Sequence, residues 1–371
     1  MKVGIMSMQR IANYGSFLQA YALKQLIQEL GYEVEFVDYH VGMPLIKCDN
    51  TNAIVRKLKK GIETIKYNAS FLHKVQYILF KESFKKRYMS ILGVYENMNY
   101  RPKLDTLVIG SDEVFNCVQS NSNVGYSLEL FGKNNNADKL ITYAASFGNT
   151  SLYKLEKYKK TQEIADLLGD FDDISVRDEN SAEIVRKLTG KEVVYNLDPV
   201  LIYDYMNQCD KIKKINVKDK YIILYAYSGR ITKQEAKWIK KYAKEQNLKV
   251  YAIGGIQECA DKFIDCSPFE VLSYFNQAEK IITDTFHGSI FSIITHKQFA
   301  TLIRKSVGDG YGNEEKLMDL LTRVGLEKRG VYDVHKVSKV LDNDIDYEMV
   351  DSFLVNERAK AKSYLEKELK K

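Results

Sequence analysis

The sequence is poor in residues that build cross-linked or proline-rich chains. Among its 371 residues there are only five cysteines and four prolines. The cysteines are odd in number and dispersed, and no two of them have C-x-x-C spacing, which argues against a disulfide framework or a zinc site. The scarcity of proline argues against proline-rich linkers or stalks. We therefore expect a protein of the reducing cytosol that holds no metal.

Long hydrophobic runs are also missing. No apolar stretch reaches the length needed to span a bilayer, and the apolar run at the N-terminus is too short for the core of a signal peptide. Hydrophobic residues nevertheless make up 45% of the chain and charged residues 28%, which excludes a disordered protein. The length exceeds that of one ordinary core and suits two domains. A soluble, cytoplasmic two-domain protein is the expectation.

The net charge of +6 is unevenly distributed. Between residues 51 and 90 there are ten lysines and arginines against two glutamates, with apolar side chains interleaved. A basic amphipathic helix of this kind either lies on the anionic inner face of the plasma membrane, or meets an anionic substrate, or is simply a solvated surface. These interpretations stay open, whereas nucleic acid is not an expected partner because no nucleic-acid-binding motif accompanies the charge.

Apolar segments alternate between strand and helix spacing along most of the chain. The alternation runs from residue 3 to residue 196 and resumes from residue 221 to residue 303. Strand–helix–strand units of this length form parallel sheets. The sequence thus predicts an α/β protein with two Rossmann-like parallel-sheet domains and a cleft between them. We place the domains at 1–205 and 215–335, with a basic helical insertion at 51–90 and a C-terminal helix at 347–371.

Ligands of open parallel sheets bind beyond the carboxyl ends of the strands, so the residues just beyond each strand are the candidates. After the first strand, Asn13, Gly15 and Ser16 lead into a helix. Ser16 could cap this helix, or the helix N-terminus could bind an anion. After the strand at 106–110, Ser111 and Asp112 could bind an acceptor or supply a base, with a plain helix cap as the alternative.

Arg177 comes directly after the strand predicted at 173–176. An arginine at this position can clamp a carboxylate or phosphate through paired hydrogen bonds. It can equally form a salt bridge with a neighbouring carboxylate, for which the candidates are Asp178, Glu179 and Asp198. The sequence alone leaves both interpretations open.

The most informative segment comes after the strand predicted at 280–283. His287 lies at the start of a predicted helix, near the positive end of its dipole, and histidine can transfer a proton near neutral pH. Gly288 leaves room for a ligand to approach, and Ser289 adds a hydroxyl group. A lone histidine is usually structural, but this position at a strand end beside small polar residues favours a functional role.

Six motifs occur in an order and spacing that resemble the polysaccharide pyruvyl transferase family. They are NYGSFLQAYAL (13–23), GSDEVFN (110–116), YAASFG (143–148), SVRD (175–178), LDP (197–199) and DTFHG (284–288). The resemblance extends from about residue 2 to residue 325. It implies a fold similar to GT-B glycosyltransferases, with the acceptor on the N-terminal domain and the donor on the C-terminal domain.

The resemblance also implies a reaction and roles for particular residues. The reaction is transfer of pyruvate from phosphoenolpyruvate to two hydroxyls of a sugar, in a cell-surface polysaccharide or its lipid-linked precursor, as a cyclic ketal. The donor site corresponds to Arg177 and His287, with His287 as the acid, and Asp112 is our candidate base. Some members have an arginine two residues before the histidine, where this sequence has Thr285. Arg304 or Lys305 could supply the missing charge.

The predicted site therefore has three parts. The catalytic residues are His287 and Asp112. The donor-binding residues are Arg177, Thr285, Gly288, Ser289, Arg304 and Lys305. The residues that bind the acceptor or an anion are Asn13, Gly15, Ser16, Ser111 and Ser146. No cofactor is expected, since phosphoenolpyruvate is a substrate.

Two other functions stay open at this stage. One is a GT-B glycosyltransferase that uses a nucleotide sugar, because a fold alone does not determine a function. The other is an anion-binding scaffold protein without catalytic turnover. It stays open because Thr285 stands where some members of the family have an arginine.

Overall fold

Two parallel β-sheets organise the protein. The computed structural model describes residues 1–46, 64, 66–119, 121–305 and 312–370. The first sheet contains β1 (Lys2–Met6), β2 (Glu33–Phe36), β3 (Leu104–Asp112), β4 (Ala137–Ala145), β5 (Ser175–Val176) and β6 (Val194–Tyr195). The second contains β7 (Tyr221–Tyr225), β8 (Lys249–Ile253), β9 (Lys262–Phe263), β10 (Lys280–Thr283), β11 (Phe299–Leu302) and β12 (Gly330–Val331).

Helices connect the strands and cover both sheets. Those before β7 are α1 (Tyr14–Glu29), α2 (Phe71–Leu92), α3 (Leu152–Lys157), α4 (Thr161–Gly169), α5 (Glu179–Thr189), α6 (Pro199–Ile202) and α7 (Tyr205–Gln208). Those after it are α8 (Lys233–Glu245), α9 (Pro268–Gln277), α10 (Phe286–Ile294), α11 (Glu314–Arg323), α12 (Val337–Leu341) and α13 (Tyr347–Leu369). No helix in the described ranges has the length and apolar character required to cross a membrane.

Both sheets have a doubly wound topology. The strand orders are β2-β1-β3-β4-β5-β6 and β12-β11-β10-β7-β8-β9, and neighbouring strands are parallel throughout. The winding direction reverses between β1 and β3 in the first sheet and between β7 and β10 in the second. Loops diverge at such switch points and leave a crevice for ligands. The prediction of two Rossmann-like sheets is confirmed, while the domain bounds 1–205 and 215–335 stay a prediction.

The strands are apolar because helices bury them on both faces. All five residues of β7 are buried, as are all four residues of β11. The apolar core also continues from one domain to the other through α1 and α9. The ring of Phe269 on α9 lies 5.8 Å from Phe17 and 5.0 Å from Tyr21, both on α1. The two domains are therefore held together partly by aromatic packing.

Helix α2 accounts for most of the described part of the predicted basic insertion, of which residues 51–63 and 65 lie outside the described residues. It is an interdomain helix. Phe80 on α2 lies 5.3 Å from Tyr14 of α1 and 6.0 Å from Phe263 of β9, measured between ring centroids. One face of α2 is thus buried against both domains.

The C-terminal helix α13 returns to the first sheet after the second sheet is complete. The hydroxyl of Tyr364 donates to the carbonyl of Thr142 on β4 at 2.8 Å. Glu368 forms a salt bridge of 2.9 Å with Lys139, also on β4. The connection that precedes β7 shows no clear periodicity in the sequence, and in the structure it contains the four-residue helices α6 and α7.

An ion pair also joins the domains. The ammonium of Lys316 on α11 lies 2.9 Å from the carboxylate of Glu113, which comes directly after β3. Burial alone would raise the pKa of Glu113, but the cations of Lys316 and Arg177 lower it to about 2. Glu113 is therefore ionised at neutral pH and needs a cation from the other domain.

We expect Lys316→Met to lower the free energy of unfolding at pH 7 by about 2–3 kcal/mol, because it leaves a largely buried carboxylate without its cation. The double variant Lys316→Met/Glu113→Gln should recover at least half of this loss. Urea denaturation measures both, with Lys237→Met on exposed helix surface as the control. Equal stability of the Lys316 and Lys237 variants would show that the ion pair contributes nothing.

Candidate functional site

The N-terminus of α1 lies at the switch point of the first sheet. Asn13 caps the helix, since its side chain accepts a hydrogen bond from the Ser16 amide at 2.7 Å. The prediction that Ser16 is the cap is therefore wrong, because Asn13 reaches the third helical amide and the helix begins at Tyr14. The hydroxyl of Ser16 instead donates to Asp112 at 3.1 Å.

Asp112 and Ser111 lie across the same switch point, at the end of β3. The carboxylate of Asp112 accepts from the amide of Glu113 at 2.9 Å, within a turn and not at a helix start. Its backbone has a φ of 78°, which is uncommon for a residue other than glycine. Ser111 accepts from the Asp112 amide at 2.6 Å, and its hydroxyl lies 3.4 Å from the carboxylate of Asp198.

Arg177, at the end of β5, is buried between two carboxylates. One guanidinium nitrogen lies 3.1 Å from Asp198 and another lies 3.4 Å from Asp112. The guanidinium also stacks on the ring of Phe286 from the second domain, 4.4 Å from its centroid. Of the salt bridges left open by the sequence, the structure shows the one with Asp198, and it adds Asp112.

His287 reaches the same carboxylate from the second domain. It is the second residue of α10, which begins at Phe286, and its Nε2 lies 3.7 Å from Asp198. Burial alone would raise the pKa of Asp198, but His287 and Arg177 hold it below its ordinary value. Among the described residues, the Nε2 of His287 has no hydrogen-bond partner within bonding distance. This buried nitrogen faces the carboxylate of Asp198, which is the polar group that can stabilise a proton on it.

The imidazole of His287 packs directly on the backbone of Gly15. A methyl group added at residue 15 would lie 2.9 Å from the Cβ of His287 and closer still to Cγ and Nδ1. Only glycine leaves the space that the ring occupies. The first turn of α1 thus forms one wall of the histidine pocket.

Comparison with protein families agrees with this geometry. The profile of the family described as polysaccharide pyruvyl transferase matches residues 13–306, which include every site residue described above. The chain belongs to the polysaccharide pyruvyl transferase family. A search of the curated proteins finds no match to this sequence.

Solved structures share the fold at low identity. S. aureus MnaA, solved with UDP, is 15% identical with a TM-score of 0.51, covering 98% of this chain and 94% of MnaA. Neisseria meningitidis UDP-GlcNAc 2-epimerase is 10% identical with a TM-score of 0.43, covering 97% and 94%. A mutant Thermobaculum terrenum O-GlcNAc transferase is 13% identical with a TM-score of 0.45, covering all of this chain but only 66% of the transferase. The fold is GT-B-like, as the sequence predicts.

Several residues predicted for the pyruvyl transferase site have other contacts. The hydroxyl of Ser289 is fully buried and lies 2.9 Å from that of Thr301 on β11. Ser146 donates to the carboxylate of Asp178 at 2.6 Å. The hydroxyl of Ser289 therefore joins α10 to β11, and that of Ser146 joins the end of β4 to the start of α5.

Thr285 and Gly288 build the start of α10. The hydroxyl of Thr285 accepts from the amide of Gly288 at 2.9 Å and so caps the helix. A side chain at residue 288 would overlap Thr283 and come within 2.8 Å of Tyr225. Thr285 positions His287 through the helix, and its hydroxyl does not replace an arginine.

The two cations suggested as substitutes for that arginine point elsewhere. The guanidinium of Arg304 pairs with Glu235 through contacts of 2.5 and 3.1 Å. The ammonium of Lys305 lies 5.3 Å from the ring centroid of Tyr332. The charge of Arg304 is therefore balanced by Glu235 at the start of α8.

Other residues near the cleft were not found from the sequence. Tyr227 and Arg230 come after β7, and the guanidinium of Arg230 lies 4.6 Å from the Tyr227 ring centroid. Both lie just beyond the carboxyl end of a strand, the same kind of position that indicated Asp112 and His287, so the strand-end rule could have found them. Asp198 was named only as a possible partner of Arg177, and nothing in its sequence neighbours indicates that it also contacts His287 of α10.

Asp284 is a buried carboxylate at the end of β10. In the described part of the chain, neither of its carboxylate oxygens has a hydrogen-bond donor, and the nearest cation is Arg230 at 3.9 Å. Burial raises the pKa of Asp284 from 3.8 to about 6, although Arg230 and Arg304 oppose the shift. No group of metal-ligating side chains occurs in the ranges that the structure describes.

Asp284 should make stability fall as the pH rises from 4 to 7. The folded state binds the proton of Asp284 more tightly than the unfolded state does. The stabilisation of the folded state by this proton is therefore fully present below pH 4 and is lost as the pH rises through 6. Relative to Asp284→Asn, the free energy of unfolding of the unmodified protein should drop by about 3 kcal/mol across this window. Urea titrations at several pH values measure this, and parallel curves for the two proteins would contradict it.

Proposed function

We propose that the protein transfers pyruvate from phosphoenolpyruvate to two hydroxyls of a saccharide and forms a cyclic ketal. The observation that carries the proposal is the convergence of Arg177 and His287 on Asp198, from two domains, in a cleft lined by both switch points. Family membership supports the reaction class. We place the reaction in the cytoplasm, without a cofactor.

The donor would bind beside the starts of α1 and α10, which pack against each other through Gly15 and His287. The first turn of each helix has amide groups without an intrahelical partner, and these amides and the helix dipole favour phosphate. Arg177 has five N–H donors, and its contacts with Asp112 and Asp198 leave donors for the carboxylate of phosphoenolpyruvate. Arg230 and Lys316 add positive charge around Tyr227.

His287 would act as the acid. Asp198 is ionised at neutral pH and attracts the protonated imidazole, and Gly15 fixes the plane of the ring. The proton would pass to the methylene carbon of the donor, which becomes a methyl group. Positive charge then develops at the neighbouring carbon, where the first sugar hydroxyl attacks.

Asp112 would act as the base. Its carboxylate accepts from Ser16 and Glu113 and lies beside Arg177, so it is held in one orientation. It would take the proton of the first hydroxyl as the new C–O bond forms. The second hydroxyl then displaces phosphate, whose bond to carbon breaks, and the phosphate leaves with the second proton.

A nucleotide-sugar glycosyltransferase is the second candidate. Thr285 favours it, because the hydroxyl of Thr285 caps α10 and supplies no charge to a phosphoenolpyruvate phosphate. Incubation of the purified protein with either donor separates the two functions. Release of inorganic phosphate from phosphoenolpyruvate supports the ketal reaction, whereas release of a nucleotide from a nucleotide sugar supports glycosyl transfer. If neither phosphate nor nucleotide is released, the interpretation that remains is an anion-binding scaffold protein without turnover.

We expect His287→Gln to lower kcat for pyruvyl transfer by about 10²–10⁴-fold with little change in KM for phosphoenolpyruvate, because general acid catalysis is lost while the donor contacts remain. The control is His296→Gln, which changes an exposed histidine paired with Asp351. A folded His287→Gln protein with full activity would show that this histidine is structural.

Gly15→Ala tests whether the position of the histidine ring matters. Alanine favours a helix, so a loss of activity would come from displacement of His287 and not from the helix itself. We expect the rate to fall by about 10–100-fold, as misplaced catalytic groups typically cause. Gly169→Ala is the matched control, since a Cβ there meets no atom within 4 Å. Equal rates for the two variants would contradict the role given to Gly15.

A further inference from the structure

One side of helix α2 exposes large apolar side chains to solvent. The helix is well defined at both ends, with Ser70 as its N-cap and Gly93, at a φ of 82°, as its C-cap. The exposed apolar residues are Phe71 (82%), Leu72 (63%), Val75 (38%) and Leu79 (59%). The last three follow Phe71 by one, four and eight residues, which places all four on one side of the helix. We call these four residues the apolar stripe.

The apolar stripe is not the side of α2 that packs on the protein. The buried residues of the same helix include His73, Phe80 and Phe84, and the rings of Phe84 and Phe80 contact Tyr14 of α1 and Phe263 of β9. Their positions fall on the opposite side of the helical wheel from Phe71 and Val75. Helix α2 therefore buries one apolar face in the protein and presents a second one outward, which is unusual for a surface helix.

Basic side chains flank the apolar stripe. The basic residues of α2 are Lys74, Lys81, Lys85, Lys86 and Arg87, against the single acidic residue Glu82. Arg87 pairs with Asp265 of the second domain at 2.8 Å, and Lys81 donates to the carbonyl of Ala12 at 2.7 Å. Lys85 and Lys86 are exposed at the end of the stripe. This charge would repel a second copy of the helix and attract an anionic surface.

The apolar stripe lies beside the mouth of the cleft. Ala12, which accepts from Lys81, precedes the Asn13 cap of α1. On the other side, Tyr67 lies against the loop that carries Arg230, since a Cβ on Gly229 would be 2.7 Å from its ring. Helix α2 thus contacts the loop before α1, and the residues just before the helix contact the loop that carries Arg230.

A second group of exposed apolar residues lies beyond strands of the first sheet at the same edge. They are Val41 (51%), Met43 (70%), Tyr95 (65%) and Met98 (42%). The guanidinium of Arg10, which comes after β1, donates to the carbonyl of Tyr95 at 2.8 Å and joins this group to the carboxyl edge of the sheet. Exposed apolar area is therefore concentrated near the ligand-binding edge.

We propose that the apolar stripe of α2 inserts into the interfacial region of a membrane that contains anionic lipids. Interfacial helices bind through buried apolar area together with attraction between lysines and anionic headgroups, and α2 offers both. Docking in this way brings the mouth of the cleft to the bilayer surface, where a lipid-linked saccharide acceptor is available. The docking itself does not depend on the proposed reaction, whereas the acceptor does.

Vesicle flotation with the full-length protein tests the docking. The protein should float with vesicles that contain phosphatidylglycerol and phosphatidylcholine, and much less with phosphatidylcholine alone. Raising the salt concentration should weaken binding without abolishing it, because salt screens the lysines but does not affect apolar insertion. Failure to float with either vesicle would overturn the proposal.

Matched variants distinguish binding through the apolar stripe from nonspecific binding through any exposed apolar residue. Phe71→Ser/Leu72→Ser/Leu79→Ser should reduce the floating fraction by about tenfold or more. The control Tyr153→Ser/Met349→Ser/Val355→Ser changes three exposed apolar residues on α3 and α13 and should bind like the unmodified protein. Equal flotation of the two triple variants would contradict the proposal. So would light scattering that shows a dimer for the unmodified protein and a monomer for the stripe variant.

Activity measurements keep this proposal separate from the proposed function. With a soluble saccharide acceptor, the stripe variant should release phosphate from phosphoenolpyruvate at the unmodified rate. With an acceptor embedded in anionic vesicles, only the unmodified protein and the control should be fast. If no protein turns over phosphoenolpyruvate, the proposed function fails, and flotation still decides the docking. If flotation is normal but the stripe variant is equally fast on both acceptors, access to lipid-linked acceptors is not the purpose of docking.

Discussion

The fully buried carboxylate of Asp198 is the group on which the site depends. A buried negative charge is costly unless cations or hydrogen-bond donors compensate it. Asp198 is compensated by Arg177 from its own domain, by the Val200 amide, and by His287 from the other domain. If the domains move apart, Asp198 loses one of these partners. The same charge therefore orients His287 and favours one arrangement of the two domains.

The fold could be predicted from the sequence wherever burial determines the pattern. The predicted bounds of β10, residues 280–283, match the structure at both ends, because strands covered on both faces are continuous apolar runs. The strands β9 and β12 were not predicted, since each has only two residues at a sheet edge, too few to show a period. The start of α1 was misplaced because Asn13 and Ser16 are both good caps, and only geometry decides between them.

The site was predictable in position and less so in its contacts. The rule that ligands bind beyond strand ends led to Asp112, Arg177 and His287, which the structure brings together around Asp198. The rule does not tell which way a side chain turns. Ser289 faces its own sheet, and Arg304 is paired with Glu235, because tertiary neighbours satisfy these groups. Lys316 lies inside α11, where no strand end indicates its contact with Glu113.

The return of α13 to the first sheet has a consequence for folding during synthesis. The hydrogen bond from Tyr364 to Thr142, and the salt bridge from Glu368 to Lys139, join residues made after the whole second sheet to a strand made early. All strands of the second sheet leave the ribosome before α13 does. The second domain can therefore assemble while the first still lacks a helix that covers its sheet. Domains usually complete their folding in order from the N-terminus. In this protein the N-terminal domain can be completed only after the strands of the second sheet have been made.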